Sequence, residues 1–234
     1  MSTSLDWASK LHNRFGFVVF SKVLKSALTD EVRDYFRNFA ENDDDAELIF
    51  NDSVMGGDQK RSQAFLKSTD EQFNVLEQKL GAFLKGYFPN HNPTDYVVLL
   101  SRARCSEQLP HTDITQEDLQ NVTDDLEEMP LGCIISLSDN TTLDVWPGAF
   151  GKTFWKCDNN SQKYRWDRID LDVGDVVVFR GDLVHAGSAY RNENVRLHCF
   201  LDHPCVKREK NTTFFMDGDE RIYPRYQSKR LKTN

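Results

Sequence analysis

His111 and Asp113 stand two positions apart, separated by Thr112. In an extended segment alternate side chains point to the same side, so an imidazole and a carboxylate at this spacing can reach one metal ion. The pair alone is weak, because His-x-Asp arises by chance in many chains. A second imidazole, His185, follows 74 positions later at the end of the strand-like run VGDVVVFRGDLVH. Two histidines and one carboxylate on one face of an octahedron leave three positions open, which suits iron(II) that must take both a chelating cosubstrate and dioxygen. Zinc more often takes four tetrahedral ligands. Arg196 lies 11 positions beyond His185, in the run NVRLHCFLD. A guanidinium buried in a β-barrel needs an anionic partner, and a dicarboxylate such as 2-oxoglutarate supplies one through two-toothed hydrogen bonding. The plain alternative is an arginine paired with Asp202, or simply exposed. His198, two positions after Arg196, shares its strand face; it is either part of the same pocket or a core histidine with its hydrogen bonds satisfied.

Strands must carry these residues, and the second half of the chain supplies their pattern. From Tyr96 onward, β-branched and aromatic runs alternate with turn residues. They predict strands over 96–100, 132–137, 142–146, 153–157, 163–171, 176–179 and 195–201. The polar cluster Asp158, Asn159, Asn160 and Ser161 predicts a hairpin between the runs carrying Trp155 and Trp166. Trp146, Trp155, Trp166 and Phe150 read as core aromatics or as apolar walls of a pocket. The first part of the chain is mainly helical after an edge strand over 16–20. Leu28, Val32, Tyr35, Phe36 and Phe39 recur at helical spacing and predict a helix over 29–40. Ser68 and Glu71 have capping-box spacing, and Phe73, Leu76, Leu80, Phe83, Leu84 and Tyr87 then follow one helical face until Pro89 and Asn90. The acidic run 41–45 has no apolar face and reads as a solvated loop rather than a metal-binding one. The acidic stretch 115–129, with Leu119, Val122 and Leu126 at roughly helical spacing, is either a helical lid or a surface insertion.

A chain of 234 residues without a Pro, Gly or Ser tract reads as one domain with a sizeable core. The expected division is a single domain over 1–205, helical over 21–90 and β over 96–205, followed by a basic extension over 206–234. No signal peptide or membrane span is visible. The five cysteines, Cys105, Cys133, Cys157, Cys199 and Cys205, lack CxxC spacing, which favours reduced thiols and an intracellular setting, cytoplasmic or nuclear. A net charge of −8 argues against broad, non-specific nucleic-acid binding. From Val206 onward, however, eight Lys and Arg stand against four Asp and Glu. A solvated or disordered tail is the simplest reading of that basic end; guidance of an anionic substrate is the other.

In order, the chain carries GFVVFSKVL near its start, HTD at 111–113, LDVWPGAF at 143–150, GDVVVFRGDLVHAG at 174–187 and the run holding Arg196. This series resembles the iron(II)- and 2-oxoglutarate-dependent dioxygenase superfamily, and within it the phytanoyl-CoA hydroxylase-like group. The resemblance covers nearly the whole chain apart from the terminal tail. It implies a mainly β fold with flanking helices around a double-stranded β-helix, or jelly-roll, core. It also implies His111, Asp113 and His185 as catalytic metal ligands, Arg196 on the distal carboxylate of 2-oxoglutarate, and Thr142 as a further donor to that cosubstrate. Dioxygen would be the oxidant, and succinate and CO2 the coproducts, of hydroxylation or oxidative demethylation of a small molecule or a peptide side chain. Related halogenases replace the carboxylate ligand with a small residue, and here Asp113 keeps it. Family members often have PGSH where this chain has Ala149 and Phe150 in PGAF. Nucleic-acid demethylases of the superfamily carry a further arginine six positions after the cosubstrate arginine, where this chain has Asp202. A nucleic-acid-modifying oxygenase is thus the less favoured alternative, and a non-catalytic β-barrel binding protein is the alternative from another class.

Overall fold

A computed structural model describes residues 4–42, 47–48, 60–66, 71–115, 117–118, 122, 128–156, 163–208, 213–216, 219 and 221. Its helices are α1 (Ser4–Ser9), α2 (Ser26–Asn42), α3 (Glu71–Tyr87) and α4 (Gly151–Lys156), with a π-helical turn at Lys10–Arg14. The strands are β1 (Phe17–Phe20), β2 (Glu47–Leu48), β3 (Arg61–Phe65), β4 (Asn92–Ser101), β5 (His111–Thr112), β6 (Leu131–Ser136), β7 (Thr141–Val145), β8 (Asp167–Leu171), β9 (Val176–Arg180), β10 (His185–Gly187), β11 (Asn194–Asp202) and β12 (Phe214–Phe215). They form a seven-stranded sheet in the order β1-β9-β6-β11-β4-β3-β2 and a five-stranded sheet in the order β12-β5-β10-β7-β8. The predicted mainly β architecture with flanking helices is what the chain adopts.

Alternation along the strands of the larger sheet builds two different faces. On β11, Val195, Leu197, Cys199 and Leu201 join one hydrophobic cluster with Val98 and Leu100 of β4, Cys133 and Ile135 of β6, and Val176 and Val178 of β9. The same cluster contains Val32, Phe36 and Ala40 of α2 and Phe73, Leu76, Leu80 and Leu84 of α3. The helices therefore cover the outer face, burying the stripes that helical periodicity had placed on them. The opposite residues of these strands, Ile134, Val177 and Phe179 among them, meet Leu143, Val145, Ile169 and Leu171 of the smaller sheet. Arg196 and His198 belong to this inner row and enter the space between the sheets.

Both predicted helices are present and somewhat longer than their apolar stripes; Ser68 of the expected capping box lies outside the described residues. α3 stops where Pro89 follows, and Lys85 in its last turn donates to the Pro89 carbonyl. Gly174, in the turn between β8 and β9, has φ +87°, and a Cβ there would lie 2.3 Å from the Leu24 carbonyl oxygen. Only glycine satisfies both demands.

Several expectations need correction. The stretch 21–90 is not helical throughout, because β2 and β3 lie within it and extend the larger sheet beyond β4. The segment 153–157 is not a strand: Gly151–Lys156 is helical, and Phe154 packs with Trp146, Ala149, Val184 and Met216. Its start is fixed by Asp182, whose carboxylate accepts the Gly151 N–H, a tertiary cap that overrides local β propensity. The expected strand over 163–171 is confined to β8. Cys157, the 158–161 hairpin, the acidic run 43–45 and most of the 115–129 stretch fall outside the described residues. The basic tail also departs from the solvated reading at its described positions. Val206 joins the helical core, Arg208 is buried among carboxylates, and β12 adds a strand beside β5. Among the described residues Cys105, Cys133, Cys199 and Cys205 are free thiols, and no helix is long and apolar enough to cross a membrane.

Candidate metal centre

Pairing places two of the three candidate ligands opposite one another. His185 on β10 faces His111 on β5 in register, with ring centroids 4.5 Å apart. Each ring is aimed by a backbone carbonyl two residues earlier: His111 Nδ1 lies 2.7 Å from Leu109 O and His185 Nδ1 lies 2.9 Å from Leu183 O. A carbonyl only accepts, so each Nδ1 carries a hydrogen, which leaves Nε2 as the ring atom that can ligate a metal. Asp113, just past β5, reaches His185 Nε2 at 3.5 Å through Oδ1 and His198 Nε2 at 3.7 Å through Oδ2. Ligand atoms of His111, Asp113 and His185 all fall within 4.8 Å of one another.

The charge states suit a divalent cation. Burial, followed by the neighbouring His185, pushes His111 down to about 4, so it is a neutral donor at ordinary pH. Burial alone would raise Asp113, but His185, His198 and His111 outweigh it and hold the carboxyl well below its usual range. A neutral His111, an ionised Asp113 and the imidazole of His185, converging in a largely buried site, match the donor set of a first-row divalent metal with open positions. Phe179 packs on His185 at 4.7 Å and Phe215 of β12 on His111 at 5.9 Å, which limits the movement of both rings. A second group of potential ligands, Glu128, His203 and Cys205, is partly exposed, and His203 Nδ1 there accepts the Cys205 N–H.

The same cavity that exposes the triad is walled by Arg196, Gln108, Gly187, Leu143, Leu99 and His198. Arg196 is 4 % exposed, and its guanidinium donates to Ser101 Oγ at 3.0 Å and to Asn194 Oδ1 at 3.4 Å, both neutral. Asp202, its alternative partner by sequence, is instead held by Arg208 at 2.8 Å and by the Thr94 hydroxyl. Among the described residues no carboxylate pairs with Arg196. Thr142 does not line the cavity, whereas its neighbour Leu143 does; the Thr142 backbone N–H and C=O both bond to the Tyr190 hydroxyl. Three polar residues near Arg196 escaped sequence reasoning. Ser101 accepts from both Arg196 and Arg61, while Arg61, wholly buried on β3, also donates to the carbonyls of Ser106 and Ser188. Gln108 ties the approach to β5 onto Gly187 of β10. The available sequence signal was weak: an arginine next to a short alternating run, and a glutamine three positions before His111.

No family model matches this sequence, and no curated protein does. Solved structures do match. SnoN, a non-heme alpha-ketoglutarate-dependent epimerase from nogalamycin biosynthesis, aligns with a TM-score of 0.65 at 13 % identity, over 86 % of this chain and 84 % of its own. The fold is a double-stranded β-helix. HygX from Streptomyces hygroscopicus, solved with nickel, 2-oxoglutarate and hygromycin B, matches with a TM-score of 0.59 at 12 % identity, over 87 % of this chain and 88 % of its own. A prolyl-4-hydroxylase from Pseudomonas putida matches with a TM-score of 0.51 at 12 % identity, over 86 % and 99 %. In the double-stranded β-helix of this chain, β4 to β11 are the eight core strands. β4, β6, β9 and β11 lie in one sheet and β5, β7, β8 and β10 in the other. The remaining strands are additions at the sheet edges.

Proposed function

We propose that this chain is an iron(II)- and 2-oxoglutarate-dependent oxygenase that hydroxylates, or oxidatively demethylates, a small molecule or a peptide side chain. One observation carries the reading: a single cavity holds a buried His-Asp-His set at its centre and a buried arginine with only neutral described partners in its wall. His111, Asp113 and His185 would hold the metal by Nε2, a carboxylate oxygen and Nε2. Arg196 would grip the distal carboxylate of 2-oxoglutarate, relieving the cost of burying a guanidinium among neutral groups. When bound, the metal and cosubstrate supply oxidising dioxygen chemistry, with succinate and CO2 released. The chain's own residues orient these groups and limit water: Ile134, Leu143 and Phe179 give the cavity apolar walls. His198 lies against Asp113 and helps keep it ionised.

Of the structures bearing this fold, SnoN is an alpha-ketoglutarate-dependent epimerase and the Pseudomonas putida protein a prolyl-4-hydroxylase, which supports an oxygenase reading here. Within that class the order of HTD, LDVWPGAF and GDVVVFRGDLVHAG supports the phytanoyl-CoA hydroxylase-like group. The four free thiols suit a reducing intracellular compartment, cytoplasmic or nuclear. The basic tail lends no support to a nucleic-acid substrate at its described arginines, since Arg208 and Arg221 both pair with carboxylates of this chain. The test is substrate-independent turnover: purified protein with iron(II), ascorbate and 2-oxoglutarate should release succinate slowly in air. Asp113→Ala should abolish it. Succinate formation equal in both proteins would remove this site from the reaction.

A further inference from the structure

Gln108 lines the cavity that holds both the candidate metal centre and Arg196, and its bonds dictate which way its carboxamide points. Its backbone N–H donates to the Gly187 carbonyl at 2.9 Å, and its side-chain Oε1 accepts the Gly187 N–H at 2.8 Å. Gly187 N–H can only donate, so the end of the amide that meets it is the oxygen, and the NH2 group is turned away from β10. The residue lines the cavity while being 8 % exposed. Gly187 makes this placement possible. A Cβ on that residue would lie 2.4 Å from Gln108 Oε1 and 2.9 Å from Arg61 Nη1. Gly187 is two positions past His185, so it stands on the ligand's own strand face, one step toward the arginine.

Arg61 Nη1 in turn donates to Ser101 Oγ at 3.2 Å, and Arg196 Nη1 donates to the same oxygen at 3.0 Å. Arg61, Ser101 and Arg196 are thus bonded in series, and Gln108 lies beside Arg61 across Gly187, in the wall of the cavity that Arg196 also lines. We propose that the Gln108 NH2 group is a second donor to the distal carboxylate of the cosubstrate, sharing it with Arg196, and so helps select a dicarboxylate over a 2-oxo acid with an apolar end. This rests on the reading of the site as a 2-oxoglutarate site. Arg61 has a positioning role: it holds Ser101 and, through the carbonyls of Ser106 and Ser188, the loops that follow β4 and β10.

The decisive comparison is the ratio of dissociation constants for 2-oxopentanoate and 2-oxoglutarate, measured calorimetrically on the anaerobic iron(II) protein. A ratio cancels damage common to both ligands. Gln108→Met, uncharged and similar in length, should lower the wild-type preference for the dicarboxylate by about tenfold. Gln108→Glu keeps an acceptor for Gly187 N–H but offers no donor, and should also lower the preference while metal affinity and melting temperature stay near wild type. If both variants keep the wild-type ratio, Gln108 only clamps β5 to β10 and the proposal is overturned. Wild-type protein that binds neither 2-oxo acid would overturn the cosubstrate site itself, and this role with it.

Discussion

Two arginines with buried side chains meet different partners. Arg208 sits over the Phe200 ring with Asp95 at 2.6 Å and Asp202 at 2.8 Å, and the two carboxylates outweigh the burial that would otherwise lower its charge affinity. Arg196, on the inner face of β11, meets a serine hydroxyl, an asparagine amide and the Tyr190 ring, all neutral. Unequal partners separate a cation neutralised within the fold from one that, on the proposed reading, is held ready for a ligand. Replacing the first leaves two carboxylates without their shared cation. Replacing the second removes a cation that has no carboxylate partner among the described residues.

The largest effect should lie between the two, at the ligands: Asp113→Ala lowers iron(II) affinity by about a hundredfold or more, read by equilibrium dialysis with metal analysis. The arginines should then diverge. Arg196→Met weakens 2-oxoglutarate binding by roughly a hundredfold but leaves the melting temperature of the ligand-free protein unchanged or raised. Arg208→Met does the reverse, costing roughly 3 kcal/mol of stability by denaturant titration while the metal still binds. A loss of stability in Arg196→Met as large as in Arg208→Met would erase the distinction.

A smaller effect concerns pH. His111 is held neutral in the fold down to about 4, whereas the unfolded chain takes up a proton near the ordinary histidine value. Between those values the unfolded state binds more protons, so stability falls as pH drops from about 6.5 toward 4. Melting of the metal-free protein at pH 7 and pH 5 should show the lower temperature at pH 5, with a narrower gap in His111→Gln. The smallest effect should be that of Thr142→Val, within about twofold for cosubstrate binding, because the Thr142 contacts to Tyr190 use its backbone.

What could be read from the sequence divides along the same line. His111, Asp113 and His185 have side chains whose chemistry is narrow, and strand alternation alone puts the first two on one side. Arg196 and His198 follow from the two-residue period of β11. Ser101, Arg61 and Gln108 could not be read this way, because a serine, an arginine and a glutamine acquire meaning only from partners on other strands. The helix at Gly151–Lys156 was hidden for a related reason: its aromatic residues favour a strand locally, and the carboxylate that caps it comes from Asp182. Charge is a poor guide to the tail at its described positions. Arg208 finds carboxylates on β4 and β11, and Phe214 and Phe215 add a strand beside His111.

The most direct measurement is an anaerobic titration of the purified protein with iron(II) and 2-oxoglutarate, following the weak metal-to-ligand charge-transfer band in the visible. A saturable band in wild type, absent in His185→Ala and shifted to much higher 2-oxoglutarate concentration in Arg196→Met, is the result this cavity predicts. No band in folded, metal-loaded wild type, or the same titration curve in Arg196→Met, would contradict a cosubstrate chelated between the triad and Arg196.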